Sequence, residues 1–192
     1  KDAKPVSPAT QEIALYVLGI REKTKWTGAE LAELRGISLM TAHRAFDELE
    51  SQRAFPISRN GKRRILSVPP NRREAWESLK PRLTNPVARS LVIQRDYLPN
   101  YAIPAGISAL SKYSEIAEPD IPEYAVKMND WNRLVKERDI PIIPAAEQGT
   151  VRLQLWRYEP RFSPQNLTAD LLSVTLSLRG TPLRRRRHRQ PE

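Results

Sequence analysis

Residues 36–50 read GISLMTAHRAFDELE, and this stretch decides how the N-terminal part of the chain is interpreted. Ser38 is a good N-cap, because its hydroxyl oxygen can accept a backbone N–H of the first turn, and it predicts a helix from about Leu39 to Arg53. Apolar residues of this helix recur with the i, i+3, i+4, i+7 spacing of one buried stripe, at Ala42, Ala45, Phe46 and Leu49. Polar and mixed residues lie off that stripe, namely Met40, Thr41, His43, Arg44 and Asp47.

The sequence on either side of this helix predicts two more helices and a hairpin. SPATQEIALYVLGIREK indicates a helix that starts at Ser7-Pro8. In TGAELAELRG, Thr27 and Glu30 form a T-x-x-E capping box, and Gly36 ends this short second helix. FPISRNGKRRILSV then gives two extended runs around Asn60-Gly61, a dipeptide that favours a type I′ hairpin turn. This order of elements is typical of a winged helix-turn-helix.

Basic charge is concentrated at the two ends of the chain. The net charge is +10, and residues 1–75 carry 14 basic and 9 acidic side chains. Residues 76–183 carry 13 and 12, whereas the last nine residues carry 5 and 1. Such clustering is typical of a polyanion partner, and general solubility is the alternative explanation.

The remaining sequence predicts a small α+β domain. A connecting helix and proline-rich stretches place the domain boundary near residues 81–86. Beyond it we expect a helix at 106–117, a strand at EYAVKM, a short helix at DWNRLVKERD and strands at IPIIPA and VRLQLWRY. LTADLLSVTLSL predicts an apolar helix capped by Thr168. The predicted fold class is α+β, with a winged helix-turn-helix over 1–80, an α+β domain over 87–180 and a basic disordered tail over 181–192.

The candidate site is a double-stranded DNA interface. Its predicted residues on the helices are Thr27, Ser38, Met40, Thr41, His43 and Arg44, and those on the hairpin are Arg59, Asn60, Lys62, Arg63 and Arg64. Hydroxyl and guanidinium groups can contact phosphates, and arginine and histidine can read base edges. Strand alternation allows only some of the hairpin cations to face DNA. The alternative for all of them is a solvated protein surface.

Composition argues against several other functions. The chain has no cysteine, which excludes disulfides, thiol catalysis and cysteine-bound zinc. With two histidines and no glycine-rich phosphate loop, we expect no catalytic residues, no metal and no cofactor. No apolar run reaches 18 residues and no leader is recognisable, so we expect a cytoplasmic protein without a membrane partner.

SLMTAHRAFDELE resembles the reading helix of GntR-type regulators, and the resemblance assigns Thr41, His43 and Arg44 to DNA contact. A second resemblance covers more of the chain. The short winged helix followed by AGISALSKYSEIAEP, YAVKMNDW, LWRYEP and DLLSVTLSL is similar to AbiEi-type antitoxins. That resemblance implies a DNA-binding regulator that represses its own operon and neutralises a nucleotidyltransferase-like toxin through its C-terminal half.

We therefore expect a transcriptional regulator whose partners are operator DNA and a toxin or the target of that toxin, with a homodimer as a further expectation. Two alternatives stay open. One is a ligand-responsive winged helix repressor, and the other is a protein-interaction module that uses the winged helix as a docking scaffold.

Overall fold

The computed structural model describes residues 4–180, so the predicted basic tail at 181–192 lies outside the described residues. The chain divides into two compact units, Lys1–Thr84 and Asn85–Glu192, and the division falls inside the predicted boundary segment. Both units combine helices with a sheet, which confirms the α+β class. Across residues 4–180, no helix has the length and apolar character needed to cross a membrane.

Unit 1 contains four helices and one small antiparallel sheet. Its elements are α1 (Pro8–Gly19), β1 (Lys25–Thr27), α2 (Gly28–Arg35), α3 (Leu39–Ser51), β2 (Ile57–Asn60), β3 (Arg63–Ser67) and α4 (Arg72–Leu79). The strand order is β1-β3-β2, with β3 in the centre. The three-residue strand β1 was not predicted, because its partner β3 is far away in sequence.

The helix ends in unit 1 follow the predicted capping chemistry. The hydroxyl oxygens of Ser7 and Ser38 accept the N–H groups of Thr10 and Thr41, and Thr27 forms its capping box with Glu30. Gly36 closes α2 in the left-handed conformation, at φ 61°. Helix α3 ends at Ser51, two residues earlier than predicted, and Arg53 then adopts a φ of 53°.

The hairpin differs from the predicted turn. Asn60 pairs with Arg63, so the two-residue loop consists of Gly61 and Lys62. Gly61 has a φ of 58°, and Arg53 is the only non-glycine residue with positive φ between residues 4 and 180. The predicted type I′ turn at Asn60-Gly61 is therefore wrong. Positive φ at the first loop position alone belongs to the type II′ class, which needs glycine there.

Unit 2 is a four-stranded sheet with helices around it. Its elements are β4 (Val87–Gln94), β5 (Ile103–Pro104), α5 (Gly106–Leu110), β6 (Glu123–Lys127), α6 (Met128–Glu137), β7 (Thr150–Trp156) and α7 (Leu171–Ser177). The strand order is β4-β7-β6-β5, in which β6 and β7 are parallel and the other pairs antiparallel. The core on one face of the sheet includes Trp131 of α6 and apolar residues of β4, β6 and β7.

Three predictions in unit 2 are wrong for identifiable reasons. The helix predicted at 106–117 stops at Leu110, since the hydroxyls of Ser111 and Ser114 bond to carbonyls of the preceding turn. Residues 140–145 form no strand because two of them are prolines, although Ile143 N–H donates to the carbonyl of Val92. The cap of α7 is Asp170 instead of Thr168.

Candidate nucleic-acid interface

Helix α3 is fixed to α1 along its inner face. Its apolar stripe is fully buried, as predicted, at Ala42, Ala45, Phe46 and Leu49. The Glu48 carboxylate at the edge of that stripe accepts the backbone N–H of Ser7 at 3.1 and 3.2 Å and the hydroxyl of Thr10. Glu48 was not singled out by the sequence analysis, because its partners lie about 40 residues away. These contacts hold the orientation of α3 independently of any ligand.

Arg64 joins the hairpin to the C-terminal half of α3. Its Nη1 donates to Asp47 Oδ1 at 2.5 Å and its Nη2 to Glu50 Oε2 at 2.8 Å. The guanidinium lies 5.7 Å from the centroid of the Phe46 ring, and the side chain is only 16% exposed. Arg64 was predicted to contact DNA, but both of its Nη atoms already donate to carboxylates within the protein. We therefore assign it a positioning role instead.

The outer face of α3 carries three exposed side chains near its start, those of Met40, His43 and Arg44. Thr41 is half-buried, and its hydroxyl lies 2.8 Å from that of the exposed Ser38. Both hydroxyls therefore take part in capping α3, and they are less free for phosphate contact than the sequence suggested. Leu39 beside them is also exposed, although its apolar side chain gives no sequence signal of an interface.

A groove of about 490 Å³ separates the start of α2 from α3 and the hairpin. It is lined by Thr27, Gly28, Ala29, Glu30, Leu39, His43, Lys62, Arg63 and Arg64. The His43 ring lies against Gly28 so closely that a Cβ at that position would approach His43 Cδ2 to 2.8 Å. Glycine at the start of α2 thus leaves room for the His43 side chain.

Thr27 and Glu30 form a charged wall of this groove. The Thr27 hydroxyl donates to Glu30 Oε2 at 3.0 Å and accepts the N–H of Glu30. Lys23 Nζ lies 2.6 Å from Glu30 Oε1. This hydrogen bond, and then the backbone N–H of Thr27, lower the pKa of Glu30 to about 2. Glu30 is consequently ionised at neutral pH, but Lys23 balances its charge.

The tip of the hairpin presents cations that have no ionic partner. These are Arg59, Lys62 and Arg63, which we call the hairpin cations. All three are exposed, and within residues 4–180 they form no ion pair and no side-chain hydrogen bond. Arg44 on α3 has the same status. Asn60 is exposed beside them, opposite Arg63 in the strand register. Positive charge is therefore available at the start of α3 and at the hairpin tip.

The acidic residues of α3 lie towards its other end. Asp47 and Glu50 follow one and two turns after the exposed His43, and Arg64 pairs with both. Charge is therefore distributed unevenly along α3. Its first turns expose an unpaired cation and apolar side chains, and its later turns carry carboxylates that pair with Arg64. An anion that approaches α3 meets favourable charge at its N-terminal half.

Within the described residues, no group of three or more histidine, aspartate or glutamate side chains could hold a metal ion. Comparison of the chain with protein-family models, curated proteins and solved structures finds no match.

Proposed function

We propose that the chain is a sequence-specific DNA-binding transcriptional regulator and that unit 1 is its winged helix-turn-helix. In this proposal the N-terminal half of α3 enters the major groove, and the β2–β3 hairpin is the wing that follows the phosphate backbone. The observation that carries the proposal is the set of exposed, unpaired cations on two adjacent elements, Arg44 on α3 and the hairpin cations.

Physical chemistry favours a polyanion as the ligand of this surface. Unpaired cations side by side repel one another, and they gain most from a partner that carries regularly spaced negative charge. The major groove admits an α-helix, and the exposed side chains at the start of α3 include both hydrogen-bonding and apolar groups. A solvated helix face would not require this clustering.

The salt dependence of DNA binding tests the proposal. For the full chain, log K should fall steeply as log salt concentration rises, since each neutralised phosphate releases condensed counterions. The double variant Lys62→Ala/Arg63→Ala should reduce that slope by roughly two and keep the preferred sequence. The matched control is Arg89→Ala/Arg95→Ala, which removes two exposed cations of unit 2 and should leave the slope unchanged. A parent affinity that is indifferent to salt would refute the proposal.

Base reading by α3 has its own test. Arg44→Ala should weaken binding to the preferred site by about 1–3 kcal/mol if the guanidinium makes a bidentate base contact. His43→Ala should relax the preference at one base pair with a smaller loss of affinity. Selection of preferred sites from a randomised DNA library measures both effects. Unchanged preference and affinity in both variants would exclude α3 as the reading element.

We also propose, as the second candidate function, that unit 2 binds a protein, and the AbiEi-type resemblance suggests a nucleotidyltransferase-like toxin. Residues 85–183 of this unit carry 11 basic and 11 acidic side chains, and the unit exposes three tyrosines, a residue type that is enriched in protein interfaces: Tyr97, Tyr101 and Tyr113. Co-expression with a toxin encoded beside the gene, from an unrelated promoter, tests this proposal. If residues 1–84 alone protect the cells, the proposal that unit 2 neutralises the toxin is wrong.

A further inference from the structure

Met40 is one of two exposed apolar side chains in the first turn of α3; the other, Leu39, lines the groove. It is 62% exposed and lies in the first turn of α3. On a helix with 3.6 residues per turn, position 40 points almost directly away from the buried stripe whose centre lies between Ala42 and Leu49. Met40 therefore occupies the middle of the outer face of α3.

The neighbours of Met40 make this position unusual. His43 and Arg44 lie three and four residues further on and flank it on the same face, and both are exposed. A single exposed apolar residue is ordinary. Here, however, the apolar group stands between two side chains suited to base reading, at the end of α3 where positive charge is free. Because a thioether is only a weak hydrogen-bond acceptor, Met40 can interact with a ligand mainly through apolar contact.

The major groove of DNA offers one apolar group at its base edges, the C5-methyl of thymine. A flexible, unbranched thioether can adapt to the position of such a methyl group. We propose that Met40 reads the methyl group of a thymine, and that the preferred DNA site contains a thymine selected in this way. This inference rests on the proposed DNA-binding function and names the chemistry that one of its residues recognises.

A deoxyuridine scan tests the inference, because uracil differs from thymine only by lacking the methyl group. The preferred site is first selected with the full chain, and each thymine is then replaced by deoxyuridine, one at a time. Replacement of the thymine that Met40 contacts should weaken binding about fourfold, the affinity equivalent of burying one methyl group. The other replacements should have little effect.

Variants of Met40 assign that effect to its side chain. Met40→Ala and Met40→Gln should bind thymine and uracil at the sensitive position equally well, whereas Met40→Leu should keep most of the discrimination. Leu167→Ala removes an equally apolar and more exposed side chain of unit 2 and should leave the discrimination unchanged. Thermal unfolding of each variant checks that the fold is intact.

Two groups of outcomes separate the two claims. If the chain selects a site but no thymine is sensitive, or if Met40→Gln keeps the sensitivity, the assignment of Met40 is wrong while DNA binding stands. The same holds if the chain binds DNA without any base preference. If it does not bind duplex DNA at all, the proposed function itself fails.

Discussion

Arg63 and Arg64 are adjacent cations of one strand, yet the structure gives them different tasks. Arg64 is occupied by Asp47 and Glu50, whereas Arg63 is exposed at the hairpin tip and lines the groove. We therefore expect Arg64→Ala to reduce the stability of unit 1, and Arg63→Ala to reduce DNA affinity and the salt slope without affecting stability.

The magnitude follows from the surroundings of the Arg64 guanidinium. Its carboxylate partners are 68% and 52% exposed, so each ion pair stabilises the fold by at most about 1 kcal/mol. Contact with the Phe46 ring contributes about 0.5–1 kcal/mol. Because Arg64 Nε is buried without a hydrogen-bond partner, its removal also relieves a penalty of about 1 kcal/mol. The free energy of unfolding should therefore fall by about 1–2 kcal/mol in total. In a unit of this size, each kcal/mol lowers Tm by roughly 4–8 °C.

Calorimetry of the full chain, combined with hydrogen exchange of the amides in α3 and β3, measures this loss. Arg63→Ala is the matched control, and its stability should stay within about 0.5 kcal/mol of the parent. Arg64→Ala should also bind DNA more weakly, since Asp47 and Glu50 become uncompensated, but its salt slope should stay near the parent value. Equal stabilities for the two variants, with a slope reduced by about one in Arg64→Ala, would refute the positioning role.

Three further predictions concern stability. Arg53→Gly should stabilise unit 1 by about 0.5–1 kcal/mol in denaturant unfolding, because a φ of 53° after α3 favours glycine; no gain would contradict this. Gly106→Ala should destabilise unit 2 by about 3 kcal/mol or more, since a Cβ would come within 2.0 Å of Glu123 Oε2 at a φ of 53°. The control Gly61→Ala, with positive φ but open space, should cost only about 1–2 kcal/mol. Folding lowers the pKa of Glu30 from 4.5 to about 2. The ionised Glu30 side chain should therefore stabilise unit 1 above pH 4.5, and this stabilisation should be lost as the pH falls from 4.5 to 2. Glu30→Gln should lack that pH-dependent loss, and an unchanged pH profile would contradict it.

The parts of the fold that sequence predicts well are those with local causes. The N-caps at Ser7, Thr27 and Ser38 and the glycine end of α2 depend on residues within four positions of each other. The buried stripe of α3 follows from helical periodicity alone. Local competition also explains a failure, since serine hydroxyls that bond to nearby carbonyls shorten the helix predicted over 106–117.

The parts that sequence could not predict depend on distant residues. The buried pair of Glu12 and Arg35, with 2.9 Å between Oε1 and Nη2, joins α1 to α2, and neither residue type suggests burial on its own. Strand β4 was missed for a related reason. It pairs with β7 about 60 residues away, and its exposed Ala88-Arg89-Ser90 segment hides the alternation expected of a strand.

The same distinction limits what net charge reveals about the candidate interface. Four cations around the hairpin suggest one uniform surface, but Arg64 lies beneath that surface and offsets part of the negative charge of Asp47 and Glu50. The remaining hairpin cations and Arg44 carry positive charge that no described group balances. Because Arg64 offsets part of the charge of these two carboxylates, it weakens the repulsion that the later turns of α3 would exert on a phosphate backbone. The favourable potential lies at the first turns of α3, where Met40 and His43 are also exposed. A cation that we expect to contact no DNA can thus influence how an anion approaches the helix.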